Sequence, residues 1–165
     1  MDKLISKLSG SYPQLHFCQA EGFYWSPEEQ LVYYQTKPCD VYRWKLLHEA
    51  SHALLGHKNY RSDVELLQLE VAAWDKAQEL ATDLKVAPID NEYVQNCLDT
   101  YRDWLHKRST CPTCGTRSLQ ESAEQYHCFN CQAVWRVSSS RFCRTYREVN
   151  RHNKDAPMLR QAIFS

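Results

Sequence analysis

The chain has 165 residues, of which 43% are hydrophobic and 24% charged, with no formal net charge. That length admits one domain of ordinary size, or one with a small appendage, and excludes two full-size domains; the composition is that of a folded chain rather than a disordered one. No run approaches the roughly 18 apolar residues of a membrane helix. The opening MDKLISKLSG carries Asp2, Lys3 and Lys7 with no apolar core after them, so neither a membrane span nor a signal peptide is expected, and the cytoplasm is the expected location.

In chain order, residues 3–8 suggest a short helix. Phe23–Trp25 and Leu31–Tyr34 are aromatic and β-branched runs separated by Ser-Pro-Glu-Glu, which predicts a β-hairpin. Pro38 then breaks the chain. Apolar residues recur at helical spacing over Val41–Leu55, with Gly56 placed as a C-terminal stop. Ser62-Asp-Val-Glu65 has the form of a capping box and starts a second helix, from about Asp63 to Leu84. After Pro88 and Asp90, an apolar stripe of Tyr93, Val94, Cys97, Leu98, Tyr101, Trp104 and Leu105 predicts a third, from about Asn91 to His106.

The first of these long helices carries His48-Glu49-Ala50-Ser51-His52. Histidines four apart share one helix face and can reach a single Zn²⁺, and the glutamate between them stands beside the open coordination position. This spacing assembles a metal and a general base, Glu49, for metal-assisted hydrolysis. A third ligand is needed, and HExxHxxGxxH does not supply it, because Leu55 and Lys58 stand where that pattern needs glycine and histidine. Glu70 on the second helix is the candidate: Ala73 and Ala77 share its face, and small side chains let two helices approach closely. His57 stays unassigned between a supporting role and a partner for the helix dipole. Tyr93, Tyr101 and His106 are candidate oxyanion donors by position alone.

From Ser109 the composition shifts to Cys, Thr, Ser and Gln. Cys111-Pro-Thr-Cys114 and Cys128-Phe-Asn-Cys131 form two knuckles whose four thiolates would close a structural Zn²⁺ site with no open position, a zinc ribbon. Cys18, Cys39, Cys97 and Cys143 lack partners at metal spacing and are expected as small core residues. Beyond Val137 the chain is basic, expected as one helix and a tail. Residues 1–100 hold nine Lys/Arg against fifteen Asp/Glu, and residues 101–165 eleven against five. Arg136, Arg141, Arg144 and Arg147, with Phe142 and Tyr146 interleaved, suit a nucleic-acid partner, and a solvated basic face equally.

HEASHALLGH followed by ExxAW resembles the small gluzincin-type peptidases, and HExxHxLLGH in particular resembles the ImmA/IrrE family of cytosolic metallopeptidases, over residues 20–85. The resemblance implies zinc on His48, His52 and Glu70, Glu49 as base, a protein substrate, and a strand ahead of the active helix that aligns it. Trp74 departs from the ExxxD pattern by which larger gluzincins place a supporting carboxylate. The SprT-like proteases, which also join HExxH to a zinc ribbon and attack DNA-linked proteins, use a third histidine, and this chain has none between His57 and His106. A non-catalytic zinc module that binds protein or nucleic acid is the alternative from another class. The fold expected is α+β: a mainly helical zincin-like core with a short N-terminal β-hairpin over 1–108, a four-cysteine ribbon over 109–137 and a basic segment over 138–165.

Overall fold

The computed structural model describes residues 1–138 and 147–149. The fold is mixed α/β, with four helices and two small sheets among the described residues, and divides into two compact units, Met1–Arg102 and Asp103–Ser165.

The first unit opens with α1 (Asp2–Ser11), which buries Leu4 and Leu8, one turn apart. A three-stranded sheet follows, made of β1 (His16–Gln19), β2 (Tyr24–Ser26) and β3 (Leu31–Tyr34) in the order β1-β3-β2. The expected hairpin is β2–β3, antiparallel with Trp25 opposite Val32, and Val32 is fully buried. β1 was not expected. It pairs parallel to β3, from His16 opposite Leu31 to Gln19 opposite Tyr34, and so leaves β2 as an edge strand.

Three further helices follow among the described residues: α2 (Asp40–Leu54), α3 (Asp63–Asp83) and α4 (Asn91–Ser109). α2 packs most extensively on α3, and α2 also packs on β2 and β3. Ala73, Ala77 and Ala81 are buried along α3, and Ala50 and Ser51 along α2; side chains this small allow the close approach that the alanine face predicted. Ser62 caps α3 by accepting the Glu65 N–H at 3.1 Å. The reciprocal glutamate bond goes one residue further back than a capping box has it, to the Arg61 N–H at 2.6 Å. One apolar cluster includes Leu4, Leu8, Leu15, Val32, Leu46, Leu47, Trp74, Leu80, Val94 and Leu98, gathering α1, the sheet, α2, α3 and the first half of α4.

The end of α2 decides where His57 goes. Gly56 takes φ +67°, the left-handed region in which a Cβ is costly. The chain therefore reverses in a Schellman motif: the Gly56 N–H bonds Ala53 O at 3.2 Å and the His57 N–H bonds His52 O at 3.0 Å.

In the second unit β4 (Leu119–Ser122), β5 (Gln125–His127), β6 (Val134–Val137) and β7 (Arg147–Val149) form an antiparallel sheet in sequence order. Its small core is Cys111, Tyr126, Cys128, Trp135 and Val137. The basic segment was expected as helix and tail, but Arg147–Val149 is a strand opposite Trp135–Val137, because β6 offers a free edge that extended chain can pair. The rest of that segment, with Arg141, Phe142, Cys143, Arg144 and Tyr146, lies outside the described residues. Arg108 is buried beneath this sheet. Its guanidinium lies 4.4 Å from the Trp104 ring centroid and donates to Ser138 O, and its carbonyl accepts the Trp135 indole N–H at 3.0 Å. Two further cysteines correct the expectation of core positions, Cys39 being exposed and Cys18 half-buried, whereas Cys97 is half-buried and packs against the apolar cluster.

Candidate functional site

α2 and α3 bring His48, His52 and Glu70 together, each offering a ligand atom within 4.8 Å of the others. The two Nε2 atoms stand 3.1 Å apart; Glu70 Oε2 is 3.2 Å from that of His48 and Oε1 is 3.8 Å from that of His52. The group is shielded, with His48 and Glu70 each 7% exposed. Burial pushes the Glu70 carboxyl up, but hydrogen bonding to His48 and His52 outweighs it and holds the group well below the usual carboxylate range. A buried carboxylate aimed at two imidazole nitrogens is an arrangement that could hold a metal ion, and the helical spacing had named all three residues.

Glu49 follows His48 directly on α2. Glu49, half-buried on α2, accepts the backbone N–H of Trp25 at 2.9 Å, so the edge strand β2 holds one of its carboxylate oxygens. Trp25 makes a second bond, from its indole N–H to the His57 carbonyl at 2.9 Å. The Schellman turn and this indole place the His57 ring against His52, with the two Nδ1 atoms 2.8 Å apart. Burial first, and then the neighbouring His52, lower the His57 pKa and favour its neutral form. His57 is not among the three residues whose ligand atoms converge.

Trp74, notable in the sequence only as a missing carboxylate, lies flat on His48, with ring centroids 4.1 Å apart and planes 23° from parallel. Tyr93 packs edge-on against Trp74, and Trp44 packs against Tyr93. Tyr93 thus braces the wall behind His48, while His106 belongs to the second unit. His48 Nδ1 is buried with no hydrogen-bond partner among the described residues. Among the described residues it is the Trp74 ring, and not an acceptor at Nδ1, that packs on His48. No protein-family model, no curated protein and no solved structure matches this chain.

The second unit holds the other group. Cys111, Cys114, Cys128 and Cys131 converge, with Cys111 Sγ 3.5 Å from Cys131 Sγ and Cys114 Sγ 3.5 Å from Cys128 Sγ. The two knuckles are built alike. The Cys111 N–H bonds Thr116 O and the Cys128 N–H bonds Ala133 O, both at 2.9 Å, and the residue after each second cysteine takes a left-handed φ: Gly115 at +74° and Gln132 at +61°. Hydrogen bonding with the Thr116 hydroxyl and amide pulls Cys114 down to about 5. Cys131 is drawn down by the Ala133 amide, but burial and the neighbouring thiols push it up to about 12.

The arginines proposed for nucleic acid are not gathered into a patch by what is described. Arg136 is exposed on β6 and lies 3.6 Å from Glu124, Arg147 lies in β7, and Arg141 and Arg144 fall outside the described residues.

Proposed function

We propose that this chain is a zinc-dependent metallopeptidase that hydrolyses peptide bonds of a protein substrate, with a zincin-like core of the ImmA/IrrE kind. The observation that carries this reading is the convergence of His48, His52 and Glu70 next to Glu49. A tetrahedral zinc ion bound at about 2.0–2.1 Å would set its ligand atoms about 3.3 Å apart, and the separations here are 3.1, 3.2 and 3.8 Å. The second group fits a closed structural zinc site: thiolates at about 2.3 Å from the ion would stand about 3.8 Å apart, against 3.5 Å for the Cys111–Cys131 and Cys114–Cys128 pairs. The first group has three protein ligands and leaves a position for water; the second has four and leaves none.

His48, His52 and Glu70 would hold the zinc, which when bound would supply a Lewis acid for the water and the scissile carbonyl. Glu49 takes the proton of the attacking water and returns it to the leaving amine. The Trp25 N–H fixes that carboxylate by one oxygen and leaves the other to receive the proton. An extended substrate runs along β2, and a cleft of about 500 Å³ flanking that strand, walled by Tyr24, Trp25, Lys58 and Asn59, takes one of its side chains. The SprT-like alternative is disfavoured, because Glu70 rather than a third histidine completes the ligand group.

Glu49→Gln is the experiment. It preserves shape and all three ligands, so the variant should keep the zinc content and helicity of the parent and lose cleavage of a fluorescently labelled unstructured protein by about a hundredfold or more. A variant as active as the parent would remove Glu49 as base. A parent that binds two zinc ions and cleaves neither this probe nor a quenched random-peptide library would favour a non-catalytic zinc module.

A further inference from the structure

We propose that His57 is a positioning residue for the metal site: its Nδ1 accepts the proton on His52 Nδ1 and thereby presents the His52 Nε2 lone pair to the ion. This rests on reading His48, His52 and Glu70 as the ligands, and it assigns a role that the motif itself does not contain.

Two Nδ1 atoms at 2.8 Å must be one donor and one acceptor. The His52 nitrogen that faces His48 and Glu70 is Nε2, and a ligand nitrogen carries no proton. The His52 proton is therefore on Nδ1, His57 Nδ1 accepts it, and the His57 proton sits on its own Nε2. Both rings are neutral, as metal binding requires of His52.

The placement of His57 is over-determined. Gly56 turns the chain at φ +67°, the Schellman bond ties the His57 N–H to the carbonyl of His52 itself, and the Trp25 indole holds the His57 carbonyl from β2. The imidazole is thus fixed by both backbone polar groups of its own residue before its side chain acts. Being a helix-dipole partner would need none of this, and ligation would need a ring nitrogen on the Nε2 side of His52. The two ligand histidines are then held by different means. Trp74 stacks on His48, whose Nδ1 has no partner among the described residues, while His57 holds His52 by a directed hydrogen bond in the place that a carboxylate or carbonyl usually fills.

The test uses a pair of variants of one shape. In His57→Asn the side-chain oxygen sits two bonds from Cβ, as Nδ1 does, and can still accept; in His57→Leu nothing can. Zinc affinity of the full chain is measured by competition with a chromophoric chelator, with far-ultraviolet circular dichroism as the check on folding. Loss of such a supporting partner costs about 10–100-fold in metal affinity. The leucine variant should lose that much at one of two sites, and the asparagine variant should stay within about threefold of the parent. Equal affinities in all three proteins, or an equal loss in both variants, overturn the proposal. A parent that binds a single zinc ion overturns the metal site itself. Should the leucine variant fail to fold, long-range ¹H–¹⁵N spectra of the zinc-loaded parent read the tautomers directly: His52 protonated at Nδ1 and His57 at Nε2 are expected, and a His57 proton on Nδ1 refutes the assignment.

Discussion

Replacing Glu70 with glutamine removes one charge and almost no volume from a position 7% exposed, so packing between α2 and α3 should survive while the ligand group fails. A neutral amide oxygen is a poor zinc ligand beside two imidazoles, and a weakening of at least about a hundredfold is expected, equivalent to about 2.7 kcal/mol of lost zinc-linked stabilisation. In a unit of roughly 100 residues each kcal/mol moves the midpoint by about 4–8 °C, so the zinc-induced rise in Tm should shrink by on the order of 10–20 °C. The assay is thermal unfolding of the parent and variant chains, each with excess chelator and with excess zinc. Without metal the sign is also fixed. The Glu70 carboxyl is depressed in the folded chain, so it contributes stability above the unfolded glutamate value near about 4.3, and that contribution is lost as the pH falls through the depressed folded value. The chelated variant should therefore be less stable than the chelated parent at neutral pH and less sensitive to acid. An unchanged zinc-induced shift in the variant would refute the role given to Glu70.

The second unit gives two further tests. Gly115 takes φ +74° with no atom within 4 Å of where a Cβ would stand, so Gly115→Ala should destabilise the zinc-loaded unit by about 1 kcal/mol through backbone strain alone, read as a lower midpoint; an unchanged midpoint would contradict the left-handed turn assigned there. Cys128→Ser should remove one zinc ion per chain by elemental analysis and unfold the ribbon, whose core is Cys111, Tyr126, Cys128, Trp135 and Val137, as read from the near-ultraviolet signal of Trp135 and Tyr126. Retention of both ions would show that the four thiols do not form one site.

What the sequence made legible was what is written locally. The stop at Gly56, the Ser62 cap and the alanines of α3 are short-range signals, and they place α2 and α3 within a residue or two of the structure. Glu70 followed from the same logic, because its face was defined by Ala73 and Ala77. β1 was invisible: its partner β3 lies fifteen residues further along and parallel, as His16 opposite Leu31 makes plain, and neither a turn nor an alternating pattern announces such a pairing. Trp74 was read as an absence because the expected motif had a carboxylate there, whereas its stacking on His48 depends on how α2 crosses α3. The placement of His57 needed Trp25 besides the nearby Gly56 turn and His52, and Trp25 lies on a strand outside that window of sequence. Arg147 is in a strand for a related reason, since the β6 edge that recruits it is a property of the sheet.

The proposed metallopeptidase site is tested most directly by anomalous diffraction at the zinc edge from crystals of the zinc-loaded chain. Two peaks are predicted, one among Cys111, Cys114, Cys128 and Cys131 and one within about 2.0–2.2 Å of His48 Nε2, His52 Nε2 and a Glu70 oxygen. A single peak in the cysteine cluster, or a second peak ligated by something other than Glu70, would contradict it.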